Sequence, residues 1–567
     1  MKKLLHPIHW LIFQLFLLVL VSCSGKNSAP SYEAIKEINL KKGAIILCGP
    51  AESQFGSVGF ETSCSPKIKD DFNLAIALLH SFEYNEAEKV FAKVIEKQPD
   101  CAMAYWGAAM SNFHPLWAPP SEAELLKGEK AIAIAHTISN KSKREESYIN
   151  AIATFYAERD RSDHRSRCIK FEKAMENLTA AFPTDKEAAI FYALSLTAAA
   201  DPADQTFTKQ KKAGSILHGL YPGQPNHPGI VHYIIHTYDS PELAESALVA
   251  ARKYAAVAPS SAHALHMPSH IFTRMGLWSE CIESNLASVS SAQCYAKSAG
   301  IKGHWDEELH ALDYLVYAYL QKGENNLAKK QYDYLQTMQV VSPVNFKVAY
   351  AFAAIPARYV LENKMWKDAA GMQIFPADFN WEKFPWQKAI FHFCRLMGLV
   401  HTGNIDAAKA ELIRLNLMNN TLLNQKNDYY AKQVQIQILI AKAWILFKEG
   451  KNNEALKLMQ EAASMEDNIE KHPVTPGEVI PARELLGEMY IEMNNPTKAL
   501  EAFEADLKKR PNRFNAVFGA AESAEKMGNF KKAHFYYLQL TDFASATSNR
   551  MELQKARLFL KNKNSSL

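Results

Sequence analysis

Histidines are crowded into one short part of this chain. Of 19 histidines in 567 residues, six fall between His227 and His270, in the stretches HPGIVHYIIH and HALHMPSH. An even spread would place about 1.5 in a window of this length. His232 and His236 stand four residues apart, as do His266 and His270. On a helix, imidazoles at i and i+4 leave one face and could offer two nitrogens to a zinc or copper ion.

The elements that carry these histidines follow a helical repeat. The stretch PARELLGEMYIEMNNPTKALEAFEADLKKRP fits the tetratricopeptide pattern, and 34-residue units in the same register recur around Leu74, Gly403, Gly450 and Ala520. One helix pair cannot bury its apolar face alone, so neighbouring pairs must stack. We therefore expect an all-α fold, a helix-turn-helix solenoid coiled as a right-handed superhelix in two blocks. In the first stretch the pattern positions are Leu486, Gly487, Tyr490, Ala499, Phe503 and Pro511.

The histidine segment fits the same register. His232 and His236 take repeat positions five and nine, and His266 and His270 take the same positions one unit later. His263 stands at position two. At about 100° per residue these positions lie roughly 145° from the packing positions, so they are predicted to face the concave groove. Inner helices about 8–10 Å apart would bring the rings towards a common point. In a third unit the corresponding residues are His310, Asp313 and Tyr317.

Three interpretations of this groove are open. The two histidine pairs would offer four nitrogens to zinc or copper, with His263, His310 or Asp313 as alternates. The groove could instead bind a carboxylate or a peptide, or its imidazoles could only hydrogen-bond neighbouring helices. Pro268 argues against the simple geometry, because proline inside a helix removes a donor and bends the chain. That bend would turn the side chain of His266 away from the predicted direction into the groove.

Other residues are further candidates for this groove. Arg358 falls at an inward position and could bind a carboxylate, and His114, beside Trp117, is another inward candidate. The acidic run at 306–308 could supply a general base, although a solvated helix start explains it equally well. The sequence lacks GxSxG, P-loop, GxGxxG and HExxH motifs. Their absence favours a protein that is not an enzyme, and any reaction stays open.

The N-terminus predicts export. Lys2 and Lys3 precede the apolar run LIFQLFLLVL, and the tetrad Leu20-Val21-Ser22-Cys23 resembles the lipobox of bacterial lipoproteins. That resemblance implies a signal peptide over residues 1–22, cleavage before Cys23 and acylation of Cys23. We therefore expect a protein held by lipid at the periplasmic or outer face of a bacterial envelope. The alternative is an ordinary signal peptide with an incidental cysteine.

The composition of the chain restricts the kind of partner that it could bind. A net charge of +4 and the lack of a basic stripe interleaved with aromatics argue against nucleic acid as a partner.

The stretch IFPADFNWEKFPW interrupts the repeat array and suggests two blocks. We expect a tether and irregular segment at 23–66, a first block with the histidine groove at 67–345, an irregular helical connector at 346–385, a second block at 386–546 and a helical tail at 547–567.

Disulfides are expected if the protein is exported. Cys64 precedes the first helix of a repeat unit and Cys101 follows its second. Because the ends of an antiparallel helix pair lie side by side, a Cys64–Cys101 bond is favoured, with Cys48 as the rival partner of Cys64. Cys281 and Cys294 are separated by about 19 Å of helical rise and should not pair with each other. Both are expected to be buried.

The chain resembles a family of large bacterial tetratricopeptide-repeat lipoproteins. The resemblance rests on stretches such as SCSPKIKDDFNLAIALLHSF, PNHPGIVHYIIHTYD, HALHMPSHIFTRMG and HPVTPGEVIPARELLGEMY, which belong to a match over most of residues 55–545. It implies an all-helical solenoid and supports the register used above. It brings no assigned reaction, and the fold alone supplies none.

Two functions follow as expectations. The first is a lipid-anchored scaffold whose concave groove holds a peptide or a partner protein, a common use of repeat surfaces. The second is a zinc- or copper-binding protein, or a metal-dependent hydrolase, whose ligands are the groove histidines.

Overall fold

The computed structural model describes residues 29–50, 54–116 and 119–564 of the chain. The predicted signal peptide, Cys23 and Trp117 lie outside these residues. In the part that is described, helices dominate, and two short strands pair in parallel, β1 (His304–Trp305) with β2 (Val341–Ser342). The all-α fold expected from the repeat is confirmed. No helix among the described residues combines the length and apolar character that a membrane crossing needs.

The helices follow one another with short connections over the whole described chain. In the first part they are α1 (Tyr32–Ile38), α2 (Lys69–His80), α3 (Tyr84–Lys97), α4 (Ala102–Met110), α5 (Glu122–Thr137), α6 (Lys143–Tyr156), α7 (His164–Ala181), α8 (Lys186–Ala198), α9 (Thr208–Leu220), α10 (Pro228–Thr237), α11 (Leu248–Val257), α12 (Ala262–His266), α13 (Pro268–Met275) and α14 (Trp278–Ser298).

The second part continues in the same way. Its helices are α15 (Asp306–Gln321), α16 (Asn325–Gln336), α17 (Phe346–Glu362), α18 (Trp366–Ala370), α19 (Pro385–His401), α20 (Ile405–Asn424), α21 (Asp428–Lys448), α22 (Asn452–Asp467), α23 (Ala482–Glu492), α24 (Pro496–Lys509), α25 (Phe514–Lys526), α26 (Phe530–Phe543) and α27 (Met551–Asn564). Short 3-10 helices lie at Pro66–Ile68, Tyr221–Gly223, Ala244–Ala247 and Trp381–Lys383.

Successive helices pack as hairpins, for example α19 with α20, α21 with α22 and α23 with α24. Small residues at the repeat positions permit this close packing. A Cβ atom at Gly487 would lie 2.7 Å from the ring of Phe503, and one at Gly107 would lie 2.2 Å from the ring of Phe91. A larger side chain at either glycine would push the paired helices apart, which is why the pattern combines a small residue with a large one.

Two hydrophobic cores hold the chain together. One extends from Ile38 to Ala318 and the other from Leu309 to Phe559, so they overlap within α15. Tyr314 belongs to the first core, while Leu315 on the next position belongs to the second. The segment expected as an irregular connector, 346–385, begins with the regular 17-residue helix α17, whose residues pack into the second core.

The two halves of the chain also contact each other away from α15. The indole nitrogen of Trp278 donates to the carbonyl oxygen of Asn512 at 2.8 Å. The loop between α22 and α23 reaches α13, where Arg274 donates to Glu470 at 3.1 Å. The inner side of α10, α12 and α13 is therefore covered by other parts of the chain, and the predicted groove residues there are almost fully buried.

Local sequence signals fix the helices that carry the histidines. Pro228 begins α10, where its missing N–H would have been unpaired in any case. Pro268 separates α12 from α13, yet Met267 between them keeps a helical backbone, with φ −52° and ψ −37°. Gly276 ends α13 with φ +66°, a left-handed conformation that suits glycine. At Pro268 the expected interruption therefore divides the helix into α12 and α13, and the amide of His270 bonds to the carbonyl oxygen of Met267 three residues earlier.

Candidate functional site

Six buried or partly buried histidines form two groups of three. The first histidine trio contains His232 and His236 on α10 and His263 on α12. The second histidine trio contains His266 on α12, His270 on α13 and His310 on α15. Within each trio, one ring nitrogen from every member lies within 4.8 Å of the others.

The rings of the first trio converge through their Nε2 atoms. The Nε2 atom of His232 lies 2.9 Å from that of His236 and 3.1 Å from that of His263. His232 has no exposed surface and His263 is 8% exposed, while His236 is partly buried. Three nitrogens from two helices therefore surround one point.

The second trio repeats this arrangement. The Nε2 atoms of His266 and His270 are 3.1 Å apart, across the helix break at Pro268. The ring of His310 lies against that of His266, with centroids separated by 4.2 Å. All three side chains are buried. His310, from the third repeat unit, thus joins His266 and His270 of the second unit.

The two trios are neighbours. The ring centroids of His236, in the first, and His270, in the second, are 6.3 Å apart. Helix α12 contributes His263 to one trio and His266 to the other, and side chains three residues apart share a helix face. The six imidazoles therefore form one continuous cluster.

Aromatic rings enclose the cluster. Phe82 stacks on His236 and His263 and meets His232 edge-on at 4.4 Å. On the other side, Tyr314 contacts all three rings of the second trio, with centroids 4.7–5.6 Å away. The ring faces provide a largely apolar wall, which strengthens electrostatic interactions inside it. The hydroxyl of Tyr314 is a polar exception, since it lies 3.5 Å from both ring nitrogens of His270.

Three of the rings are oriented from outside by hydrogen bonds at Nδ1. The Nδ1 atom of His232 donates to the carbonyl oxygen of His80 at 2.7 Å. The Nδ1 atom of His266 donates to Oδ1 of Asn285 at 2.7 Å. The amide group of Asn285 is itself oriented, because its Nδ2 donates to the carbonyl oxygen of Cys281 at 2.7 Å. The Nδ1 atom of His270 donates to Asp239 at 2.9 Å.

These acceptors decide which tautomer each ring adopts. A carbonyl or carboxylate oxygen only accepts, so the hydrogen of the neutral imidazole is on Nδ1 in His232, His266 and His270. Their Nε2 atoms then carry a lone pair and no hydrogen, and each lone pair points into its trio. Donation from Nδ1 to an outer acceptor is the usual arrangement of a histidine that ligates a metal through Nε2.

Burial also opposes protonation of these histidines. It lowers the pKa of His232 to about 3, and it lowers the pKa values of His266 and His310 well below the usual range. The pKa of His270 is lowered too, although Asp239 partly offsets the effect of burial. The rings are therefore neutral near pH 7, the state in which imidazole binds metals.

Three charged side chains, those of Asp239, Arg274 and Lys471, lie beside His270 of the second trio. Burial acts to raise the pKa of Asp239, but Lys471 and Arg274 hold it well below its usual range. Arg274 donates to Asp239 at 2.8 Å, and Lys471 does so at 3.4 Å. Burial lowers the pKa of Lys471 to about 8. No local sequence pattern predicts this contact, because Lys471 is 232 positions away from Asp239.

A third cluster contains His80, Glu187 and His227. Both histidines donate to Glu187 from Nε2, at 3.0 and 2.9 Å, and the hydroxyl of Tyr233 lies 2.9 Å from Nδ1 of His80. Although burial acts to raise it, the pKa of Glu187 is held low by His227 and His80. The carboxylate of Glu187 accepts from both rings, whereas Nδ1 of His227 is buried without a hydrogen-bond partner among the described residues. Sequence analysis missed His80 and Glu187, since no local pattern connects positions 107 residues apart.

The acidic and aromatic members of the predicted groove set lie elsewhere. Asp313 does not join the histidines, because it forms a buried ion pair with Arg358. Burial raises the pKa of Asp313 to about 6 against the effect of Arg358. Arg358 also donates to the carbonyl oxygen of Gly477 at 2.7 Å. The hydroxyl of Tyr317 accepts from Arg513 at 3.3 Å. The assignment of Asp313 as an alternate metal ligand was therefore wrong, and the carboxylate partner of Arg358 is internal.

The remaining predicted candidates have partners of their own. His114 lies 3.3 Å from Glu124 and edge-on to the ring of Tyr84, away from both trios. The acidic run at the start of α15 is not a free base, because Lys347 pairs with both Asp306 and Glu307. These contacts leave neither group available for the role that the sequence suggested.

Two disulfides connect the cysteines of the first half. Cys64 bonds to Cys101, and Cys48 bonds to Cys294. The rival pairing of Cys64 with Cys48 does not occur. Cys294 does not pair with Cys281, as expected, but it is only partly buried. Cys281 is buried as a free thiol, as are Cys168 and Cys394. The Cys48–Cys294 bond ties the N-terminal segment to the end of α14.

Comparison with known proteins gives only a general likeness. No protein-family model matches the chain, and no curated protein matches it. Among solved structures, the tetratricopeptide-repeat domain of P58(IPK) is 16% identical and covers 67% of this chain and 99% of its own, with a TM-score of 0.20. Yeast Tom70 and the Cut9–Hcn1 complex of APC/C are each 12% identical, covering 88% of this chain and 96% of theirs, with TM-scores of 0.33 and 0.26.

Proposed function

We propose that this protein binds metal ions through its six clustered histidines, one ion in each trio. The observation that carries the proposal is the contact between His266 and His270. Each ring donates its Nδ1 hydrogen to an outer acceptor, so neither Nε2 has a hydrogen to share, yet the two Nε2 atoms lie 3.1 Å apart. Two lone pairs at this distance repel unless a cation lies between them.

A proton is a poor candidate for that cation. A shared proton would turn one ring into an imidazolium in a buried site where the pKa values of both histidines are lowered. A metal ion satisfies both lone pairs and also the third ring, that of His310. Histidine Nε2 binds zinc at about 2.0–2.1 Å, and three histidines with one open position form a familiar ligand set.

The first trio also directs three ring nitrogens at one point. His232 has a bare Nε2 that faces the Nε2 atoms of both His236 and His263. One lone pair does not serve two good hydrogen bonds at once, whereas one ion can accept all three nitrogens. The cluster of His80, Glu187 and His227 differs, because its carboxylate accepts from both rings. We therefore assign metal to the two trios and a structural role to the third cluster.

The ligand chemistry favours zinc or copper, since neutral imidazole suits both ions. A hydrolase needs a base near its metal-bound water. Among the described residues, the acids predicted for that role have other partners. Asp306 and Glu307 pair with Lys347, and Asp313 pairs with Arg358. Glu308 contacts His304 at 2.8 Å. We therefore propose metal binding without hydrolysis.

The test is metal content. The full chain, without an added histidine tag, is loaded with zinc or copper, freed of loose metal and analysed for its elements. We expect two equivalents, and about one in the double variant His266→Ala/His270→Ala. His218→Ala serves as the matched control, because His218 is exposed and belongs to neither trio. An empty protein under metal-replete conditions would contradict the proposal.

We also propose that the protein is exported and lipid-anchored to a bacterial envelope. The sequence before Cys23 supports this proposal, and so do the two disulfides, which persist in oxidising compartments. Labelling cells with a radioactive fatty acid tests it. The label should enter the wild-type protein and be absent from a Cys23→Ser variant. Equal labelling of both would contradict the lipid anchor.

A protein partner in the concave groove receives no support from this geometry. The residues expected to line an open groove are buried, with His232, His266 and Arg358 at 0% exposure. A repeat protein can also bind partners on its outer surface. The histidine cluster remains the site with the clearest chemistry.

A further inference from the structure

We propose that the two trios form one binuclear centre, which holds a pair of cuprous ions and binds dioxygen between them. This inference rests on the proposed metal binding, and it adds the identity of the metal and the class of ligand. Three features carry it: the distance between the trios, the absence of carboxylates from both ligand sets, and the apolar enclosure.

The distance between the trios fits a shared ligand. The rings of His236 and His270 belong to different trios, and their centroids are 6.3 Å apart. His263 and His266 lie three residues apart on α12, where Cβ atoms are about 5–6 Å apart. Ions bound about 2 Å from each Nε2 would then be neighbours, and paired metal ions about 3.5–4 Å apart commonly share a substrate oxygen.

The charge of the site favours copper in its lower oxidation state. Both trios consist of neutral imidazoles, without a carboxylate. The acid behind the second trio, Asp239, already faces Arg274 and Lys471. Two divalent ions would place a formal charge of about +4 in a buried site, and two cuprous ions would place about +2, so the cuprous pair has the smaller desolvation cost. Imidazole is also a good copper ligand.

The same charge balance predicts a bridging dianion after oxidation. Each cuprous ion gives one electron, and dioxygen takes both electrons to become a two-electron-reduced dianion bound to two cupric ions. The total charge of the centre stays unchanged, no proton moves, and no bond within the protein breaks. Return of the two electrons releases dioxygen, so binding needs no outside reductant.

The aromatic enclosure protects this state. Phe82 covers the first trio, and Tyr314 lies against all three rings of the second. Exclusion of water limits loss of the reduced oxygen species by protonation. A small uncharged molecule such as dioxygen fits a site that is enclosed in this way better than a large polar substrate does.

The test uses the full chain loaded anaerobically with two cuprous equivalents and then exposed to dioxygen. We expect uptake of about one dioxygen per two coppers, and a cupric electron paramagnetic resonance signal at least tenfold weaker than the copper content requires, because neighbouring cupric ions share the bridge and couple. A full-intensity signal, or no uptake, would overturn the inference. Either result leaves metal binding itself intact, since metal content is measured separately.

Two comparisons sharpen the outcome. His310→Ala removes one ligand from the second trio and should give an uncoupled cupric ion with a visible signal and no stoichiometric uptake, whereas His218→Ala should behave as the wild type. Circular dichroism checks that the His310→Ala variant keeps its helices. If this variant does not fold, the dioxygen uptake and the resonance signal of the wild type still decide the inference. Preference for zinc over cuprous copper in direct competition would also overturn the assignment.

Discussion

His266 and His270 face each other through Nε2 atoms 3.1 Å apart, while their Nδ1 atoms both donate outwards. Because the acceptors are an amide oxygen and a carboxylate, the orientation of both rings is set before any ion arrives. A ligand set that is oriented in this way loses little side-chain entropy on binding. Without an ion, however, the two lone pairs repel, so the empty protein should be less stable than the loaded one.

Removal of metal should therefore lower the free energy of unfolding. When free metal exceeds its dissociation constant 1,000-fold, one site adds about 4 kcal/mol, if the unfolded chain does not bind the ion. Urea unfolding with and without a chelator measures this difference. A His236→Ala/His270→Ala variant removes a ligand from each trio and should show a much smaller response to the chelator. Equal stability of the wild type in both conditions would contradict the prediction.

Asn285 should control the affinity of the second trio without touching the ion. Asn285→Leu removes the acceptor for the Nδ1 hydrogen of His266, and loss of such an outer partner typically weakens metal binding 10–100-fold. Competition with a chelator of known affinity measures the change. Ser290→Ala is the matched control on the same helix, since Ser290 is exposed. A similar loss of affinity in both variants would indicate general damage to α14.

The six histidines could be found from the sequence because the repeat conveys three-dimensional information. Positions 34 residues apart occupy equivalent places in adjacent units, so His232 and His266 could be assigned to one side of the inner helices. The same reasoning failed for Asp313. It is three residues beyond His310 on α15, where Arg358 of α17 approaches and forms an ion pair. A repeat register predicts direction but not the partner that a neighbouring helix supplies.

The residues that orient the histidines could not be predicted in this way. The partners of His232 and His270 are His80 and Asp239, at separations of 152 and 31 positions, and Lys471 comes from the other half of the chain. The burial of the site likewise depends on closure of the two halves on each other. The 34-residue pattern describes only contacts between adjacent units, and so it predicted an open groove.

The cluster of His80, Glu187 and His227 should bind no metal. His227→Gln keeps a side-chain donor for Glu187, so we expect the wild-type content of two metal equivalents and a loss in the free energy of unfolding below about 1 kcal/mol, the usual contribution of one hydrogen bond. Elemental analysis and urea unfolding measure the two effects. Three equivalents in the wild type, falling to two in the variant, would show that this cluster is a metal site.

The two disulfides should differ in their contribution to stability. The Cys48–Cys294 bond closes a loop of 246 residues, and the Cys64–Cys101 bond closes one of 37. Loop-closure entropy predicts about 5 kcal/mol for the first and about 4 kcal/mol for the second. Paired serine variants, each unfolded in urea, measure both losses, with Cys168→Ser as a control for loss of a thiol that forms no disulfide. A larger loss from the short loop would contradict the entropic account.

His401 should make stability depend on pH in a region far from the trios. Its ring stacks on Trp366 at 3.9 Å, and burial lowers its pKa to about 3. Because the unfolded chain takes up a proton near pH 6.5 and the folded protein does not, this group destabilises the fold as the pH falls below 6.5. Between pH 7 and 5 the loss should be about 2 kcal/mol.

His401→Phe keeps an aromatic ring and removes the titration, so the difference in unfolding free energy between wild type and variant should change with pH by that amount. Parallel profiles of the wild type and the His401→Phe variant over this range would show that the ring is protonated equally easily in the folded and unfolded states.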